Sequence, residues 1–245
     1  MKREQVIGKI FEGDARTVLK EMEDDSVDYV LTSPPYNQKK SIGAGGADLY
    51  DHYNDKVDDA DYYQFLCDMI DGLLRVTKKY VFFNIMYGTN NRNAVFSLMG
   101  KYANNMKDVL IWKKPIQPAM CHNVLTHNYE YIFVLGKNTE NRTYEVDFGG
   151  QGKYTTCFDE VTNNAVNSQR FKCDGNLAIM SIQLAKRVIS TFTKEGDLVL
   201  DPFVGSGTTL VACKQLNRAW TGIELDRSMI KTTQKRLDDT PKPLF

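Results

Sequence analysis

No apolar run in this 245-residue sequence approaches the ~18 residues needed to cross a membrane. The amino terminus, MKREQVIGKIFEGD, has charge but no apolar centre, so it does not read as a signal peptide. Neither sign of charge is in excess: 31 Lys and Arg balance 31 Asp and Glu. That balance excludes a strong global pull on a polyanion; a protein binding one must offer a local basic face. The five cysteines, Cys67, Cys121, Cys157, Cys173 and Cys213, are scattered, odd in number and form no C-x-x-C pair. Free thiols in a reducing compartment are expected, not a disulfide framework, and no metal site is expected. Cys121, His122, His127 and Glu130 lie near one another, but His127 reads as a polar residue at a strand entrance. Internal repeats and low-complexity tracts are also missing. What remains is a chain with 42% hydrophobic and 25% charged residues, long enough for one α/β domain with a sizeable core.

Apolar strand-like runs alternate with helical periodicity, the pattern of a largely parallel sheet. Strands are expected at Val6–Phe11, Val27–Thr32, Tyr80–Ile85, Val109–Trp112, Tyr129–Leu135, Leu198–Leu200 and Ala219–Ile223. Helices are expected at Ala15–Met22, Asn90–Tyr102, about 177–193, Thr208–Leu216 and from Ser228. The clearest helix carries Tyr62, Phe65, Leu66, Met69, Ile70, Leu73 and Leu74 on one face. Asp55, Asp58, Asp59 and Asp61 read as a solvated run at its start, where Asp is favoured. Residues 37–57 are polar and carry Gly43, Gly45 and Gly46, the composition of a mobile loop. Residues 137–175 lack sustained periodicity and read as a small irregular insertion within a single domain spanning 1–245.

Two turns carry the chemistry. The first follows a strand and precedes a helix: Asp201-Pro202-Phe203-Val204-Gly205-Ser206-Gly207-Thr208-Thr209. Gly205 and Gly207 have no Cβ, so a ligand can approach the backbone. The helix from Thr208 offers free N–H groups and a positive dipole end. Glu224, at the tip of the next strand, is placed to accept hydrogen bonds from two ribose hydroxyls. A dinucleotide fingerprint would need a third glycine where Leu210 stands, which disfavours a nicotinamide oxidoreductase. The second turn, Ser33-Pro34-Pro35-Tyr36, ends a strand at the carboxyl edge of the sheet, where open α/β sheets bind ligands. Two prolines hold it stiff and extended. Ser33 Oγ and the Pro34 carbonyl could accept both hydrogens of a base amino group, and Tyr36 could stack on a base pulled from its helix.

Together, Thr32-Ser33-Pro34-Pro35-Tyr36-Asn37 and Asp201–Thr209 closely resemble the catalytic and cofactor motifs of the amino-methylating DNA methyltransferases. Their order, catalytic motif first, resembles the β group of that family. The resemblance covers most of the chain except 137–175. Gly13-Asp14 followed by Leu19 looks like the family's early motif, implying that Asp14 contacts the cofactor's adenine. Val81–Asn84 and Asn128–Val134 look like its central strands, and Gln183–Ile189 like the helix before the cofactor strand. The resemblance implies a doubly wound, mostly parallel, seven-stranded Rossmann-like sheet. It implies S-adenosylmethionine as cofactor, held by Asp14, Asp201, Pro202, Phe203, Gly205, Ser206, Gly207, Thr208, Thr209, Glu224 and Leu225. Catalysis falls to Ser33, Pro34, Pro35 and Tyr36, and target recognition in double-stranded DNA to 137–175. Serine before Pro-Pro-Tyr is usual in cytosine-N4 enzymes and aspartate in adenine-N6 enzymes. Cytosine N4 is therefore expected, with adenine N6 as the alternative and an RNA or protein amide as a more distant one. Where the family commonly has a His and a Pro, this chain has Asn176 and Ser181, which implies a differently lined methionine end of the pocket. Candidate phosphate contacts are Lys39, Lys40, Lys113, Lys114, Arg142, Lys153, Arg170 and Lys172. The family further implies a cytoplasmic protein of a prokaryote or phage, a homodimer as one assembly, and a cognate restriction endonuclease as a companion.

Overall fold

A strand that is apolar on both faces has to be covered on both faces. The computed structural model satisfies this for the central strands; it describes residues 1–37, 41–42, 47–48, 57–114, 123, 125, 127–140, 143–149, 154–159 and 180–241, with backbone only at 41–42 and 47–48. In chain order the elements are α1 (Arg3–Val6), β1 (Ile10–Glu12), α2 (Ala15–Glu21), β2 (Val27–Thr32), β3 (Ser41–Ile42), β4 (Ala47–Asp48), α3 (Asp59–Val76), β5 (Thr77–Ile85) and α4 (Arg92–Lys101). There follow β6 (Met106–Lys113), β7 (Tyr129–Gly136), β8 (Cys157–Phe158), α5 (Ile182–Phe192), β9 (Leu198–Asp201), α6 (Thr208–Gln215), β10 (Ala219–Glu224) and α7 (Arg227–Asp238).

Eight strands form one mixed, mostly parallel sheet in the order β1-β10-β9-β2-β5-β7-β6-β8. The first five in that order run parallel, β7 runs against β5 and β6, and β8 runs parallel to β6. Alternation along each strand divides the core. Val30, Val81, Phe83, Phe133, Leu198 and Leu200 meet Leu19 of α2, Leu66, Ile70 and Leu73 of α3, and Val95 and Leu98 of α4. Tyr29, Leu31, Phe82, Ile132, Val134 and Val199 meet Leu184, Val188 and Phe192 of α5 and Ala212 and Cys213 of α6. Helices on both faces make the sheet doubly wound. Among the described residues no helix is long and apolar enough to cross a membrane.

Four expectations need correction. Val6–Phe11 is not one strand: Val6 ends α1, and Gly8, at φ 71°, turns the chain before β1. The Gly8 N–H donates to the Trp220 carbonyl at 2.8 Å, so its left-handed backbone is fixed against β10. The sheet has eight strands where seven were expected. The extra one, β8, pairs with Ile111 and Trp112 from inside the 137–175 stretch. Two residues are too short to show a period, so nothing in the sequence marked them. Tyr144 and Phe148 of the same stretch pack on Phe192, with ring centroids 5.1 and 5.9 Å away. Within 37–57, expected as loop throughout, β3 and β4 pair antiparallel; apart from Asn37 and Val57 the rest of that segment lies outside the described residues. The α5 helix also starts later than 177, with buried Ser181 as its N-cap residue.

The parallel strands send their carboxyl ends to one edge, so the turns after β1, β2, β5, β9 and β10 leave side by side. Phe82 anchors the centre of that sheet: it is 1% exposed, 4.8 Å from the Phe192 ring and 6.4 Å from the Tyr29 ring. Phe82→Ala should lower unfolding free energy by about 3–5 kcal/mol, read by urea denaturation; a loss below about 1 kcal/mol would show that the second face can collapse around the gap.

Candidate active site

Thr32, the last residue of β2, is fully buried and donates from Oγ1 to Asp201 Oδ1 at 2.8 Å. Asp201 ends β9, the strand beside β2, with Val30 opposite Leu200. This one bond therefore ties the Ser33-Pro34-Pro35-Tyr36 turn to the glycine turn. The same Oδ1 accepts from the Phe203 N–H at 3.1 Å, which bends the chain away from β9. Thr209 closes the group, its Oγ1 lying 3.5 Å from the Leu31 carbonyl while it also hydrogen-bonds Asp201. Burial pushes the Asp201 carboxyl up to about 7, against the pull of Thr209, Phe203 N–H and Thr32; Glu224 adds to the rise.

The glycine turn is built for two different reasons. Gly205 has φ 51°, and nothing lies within 4 Å of where its Cβ would stand, so its outer side is open. Gly207, at φ 81°, is the N-cap residue of α6, and a Cβ there would collide with Thr233 of α7. Its missing side chain serves helix packing, whereas sequence reasoning had assigned it to ligand approach. Glu224 is held from two sides: Oε2 accepts from the Gly205 N–H at 2.7 Å and Oε1 from the Asp226 N–H at 2.9 Å. Each carboxylate oxygen retains a second lone pair, so the group can still accept from a diol. Beside it Leu225 is 46% exposed. Gly13 donates to the Glu224 carbonyl at 2.9 Å and brings Asp14 to the same edge. There Asp14 caps α2 and grips Arg16, accepting from the Arg16 N–H at 2.8 Å and from Nη2 at 2.6 Å. The Arg16 side chain holds the Asp14 carboxyl below its usual range. The half-buried Phe203 ring lies 6.0 Å from Phe65, over which Arg16 sits at 5.6 Å.

The proline turn is anchored on every side. The Tyr62 hydroxyl donates to the Pro35 carbonyl at 2.6 Å, and Asn91 Nδ2 to the Tyr36 carbonyl at 2.6 Å. Asn37, at φ 51°, uses both ends of its amide on Val57: Nδ2 to the carbonyl at 3.0 Å and Oδ1 from the N–H at 3.2 Å. That clamps together the two ends of the 37–57 segment. Ser33 Oγ and the Tyr36 hydroxyl are 2.7 Å apart. The Tyr36 hydroxyl also reaches Glu130 Oε2 at 3.0 Å and Asn84 Oδ1 at 3.3 Å, and Glu130 forms an ion pair with Lys114. The Pro35 and Tyr36 carbonyls thus have donors, whereas among the described residues no donor reaches the Pro34 carbonyl, the one expected to accept from a base amine.

The family model described as DNA methylase, N6_N4_Mtase, matches residues 27–235. The chain belongs to this DNA methylase family. It is 28% identical over 239 residues to type II methyltransferase M.HpaI of Haemophilus parainfluenzae, covering 92% of this chain and 72% of that one. Identity to DNA adenine methyltransferase YhdJ of Escherichia coli strain K12 is 26% over 250 residues, covering 94% and 82%. The solved M1.HpyAVI–SAM complex superposes with a TM-score of 0.64 at 22% identity, over 94% of this chain and 98% of that one, a likeness of fold.

In this methylase the proline turn and the glycine turn lie side by side, with Glu224 and Asp14 on the same edge. Gly207 and Thr209 support the turn from within, and the buried Thr208 Oγ1 has no hydrogen-bond partner among the described residues. Of the departures from the family pattern, Ser181 stands at the N-cap position of α5 with its Oγ donating to Gln183 Oε1 at 2.9 Å, and Asn176 lies outside the described residues. Among the candidate phosphate contacts, Lys114 is committed to Glu130 and Lys113 pairs with Asp159 at 3.0 Å on the surface. Lys39, Lys40, Arg142, Lys153, Arg170 and Lys172 lie outside the described residues. Sequence reasoning missed Asn37, Tyr62, Asn84, Asn91 and Glu130 as parts of the site. A polar residue inside an otherwise apolar strand, as Asn84 and Glu130 are, was the one signal present.

Because its carboxyl is raised in the folded state, Asp201 favours folding at low pH, and that contribution is lost as pH climbs from the ordinary 3.8 through about 7. Wild type should therefore lose stability relative to Asp201→Asn across that window, by at most about 1.4 kcal/mol per pH unit. Paired urea titrations at successive pH values check it; parallel stability curves would contradict the burial of an ionisable group here.

Proposed function

We propose that this methylase moves a methyl group from S-adenosylmethionine to the exocyclic amine of a base drawn out of duplex DNA, with cytosine N4 as the target. The observation that carries the reading is the Thr32–Asp201 hydrogen bond, which sets the proline turn against the glycine turn. The residues present fit the cofactor. Gly205 leaves open space, Phe203 offers a half-buried aromatic face, Leu225 exposes an apolar side chain, and Glu224 keeps acceptor capacity for a ribose diol.

When bound, the cofactor supplies a methyl group already activated on a sulfonium. The protein's share of the work is position. Ser33 Oγ and the Pro34 carbonyl accept the two amine hydrogens, which turns the nitrogen lone pair out of the ring plane. Tyr36 presents its ring to the extruded base. The stiff proline pair, tied at Pro35 and Tyr36 by Tyr62 and Asn91, keeps those acceptors from drifting. A base amine needs no metal to become nucleophilic in that grip. Serine before Pro-Pro-Tyr favours cytosine; the likeness to a relative named as a DNA adenine methyltransferase favours adenine N6 as the second reading. A matching endonuclease, in a restriction–modification pair, belongs to the same reading.

The purified protein, incubated with methyl-labelled cofactor and duplex DNA, should yield N4-methyldeoxycytidine on nucleoside digestion and mass spectrometry. N6-methyldeoxyadenosine would transfer the assignment to adenine, and label found only in single-stranded DNA, RNA or protein would overturn the duplex target. Glu224→Ala should weaken cofactor binding by ~1–3 kcal/mol, the worth of charged hydrogen bonds. Calorimetry reads it, and an unchanged affinity would place the ribose elsewhere.

A further inference from the structure

We propose that Glu130, acting through Tyr36, is a positioning residue that fixes Ser33 Oγ as a hydrogen-bond acceptor and denies it the role of donor. The inference rests on the reading of Ser33 as a ligand for the target amine. It comes from counting protons. Glu130 sits on β7, 4% exposed, with Oε1 paired to the Lys114 ammonium. A buried acid in an ion pair is a carboxylate and has no proton to give. Its Oε2 accepts from Asn84 Nδ2 at 3.0 Å and lies 3.0 Å from the Tyr36 hydroxyl. Asn84 Nδ2 also donates to the Tyr131 carbonyl at 3.0 Å, so the amide orientation is set, with Oδ1 toward Tyr36. A phenol has one proton. Among the described residues three acceptors surround it, Glu130 Oε2 at 3.0 Å, Asn84 Oδ1 at 3.3 Å and Ser33 Oγ at 2.7 Å, and it goes to the charged one.

The Tyr36 oxygen is then left with lone pairs only. Ser33 Oγ, 2.7 Å away, has to be the donor in that bond. Its single proton is used, and what it can turn toward the pocket is lone-pair density. This direction matters for the chemistry. A serine proton aimed at the amine would compete for the lone pair that must attack the methyl group. A serine lone pair instead takes an amine hydrogen and frees the nitrogen. The chain Lys114, Glu130, Tyr36, Ser33 thus sets polarity at a hydroxyl that, in water, would rotate freely.

Steady-state kinetics on wild type, Glu130→Gln, Tyr36→Phe and the double variant test the claim. Each single variant should lower kcat by about 10- to 100-fold, the loss expected for one hydrogen bond to a charged group, with the KM for cofactor little changed. The double variant should be no slower than Tyr36→Phe alone, because Glu130 acts through that hydroxyl. Multiplying effects, an unchanged kcat in Glu130→Gln, or a change confined to KM would overturn it. A second readout does not depend on turnover. The Tyr36 Cζ resonance in carbon-13 tyrosine-labelled protein, assigned by its absence in Tyr36→Phe, should shift in Glu130→Gln. An unmoved resonance defeats the proposal even in an enzyme that methylates DNA. A shifted one in a protein inert toward DNA upholds the Glu130–Tyr36 link and defeats the proposed function instead. If Glu130→Gln does not fold, Tyr36→Phe alone decides: an unchanged kcat overturns the chain of donors.

Discussion

One buried hydrogen bond, from Thr32 Oγ1 to Asp201 Oδ1, joins two turns separated by 169 positions in the chain. Both groups sit at the carboxyl ends of adjacent parallel strands, out of reach of water. A polar atom left alone there would carry its full desolvation cost, so the pair holds the two turns in register with one another. Thr209 and the Phe203 N–H add to the same carboxylate, and the strands behind it are buried on both faces. A site assembled this way does not depend on either turn being rigid by itself.

The two turns are stiffened by different means. At the glycine turn the backbone itself does it: Gly205 and Asp226 N–H groups grip Glu224, and Gly207 lets α6 and α7 close on each other. At the proline turn the means is side-chain amides. Asn37 and Asn91 spend donors and acceptors on backbone partners, and Asn84 spends its donors on Glu130 and the Tyr131 carbonyl. Amides suit that task because they satisfy donors and acceptors together without adding charge beside the turn. The ion pair of Lys114 with Glu130 lies behind Tyr36 and meets its hydroxyl through Glu130 Oε2.

Much of this was legible in the residues. Alternating apolar runs gave the strands, and Pro-Pro and Gly-x-Gly marked the two turns because those residue types restrict or free the backbone locally. The acid at Glu224 was readable from its place after a strand. What stayed hidden depended on partners far away. Nothing in the spacing of Asn84 and Glu130 shows that they meet the same hydroxyl, and nothing around Gly207 shows that Thr233 stands against it. The two-residue β8 had no period to display, and Val6 joined a helix where the pattern suggested a strand because Gly8 turned the chain between them. Local chemistry was readable; contacts set by tertiary packing were not.

The central claim is geometric: the cofactor's sulfur faces the proline turn across the space beside Gly205. A crystal structure of the protein with S-adenosylhomocysteine measures this most directly. The account predicts the ribose on Glu224 and the sulfur directed toward Ser33 and Pro34. Density on another edge of the sheet, or a sulfur pointing away from the proline turn, would contradict it.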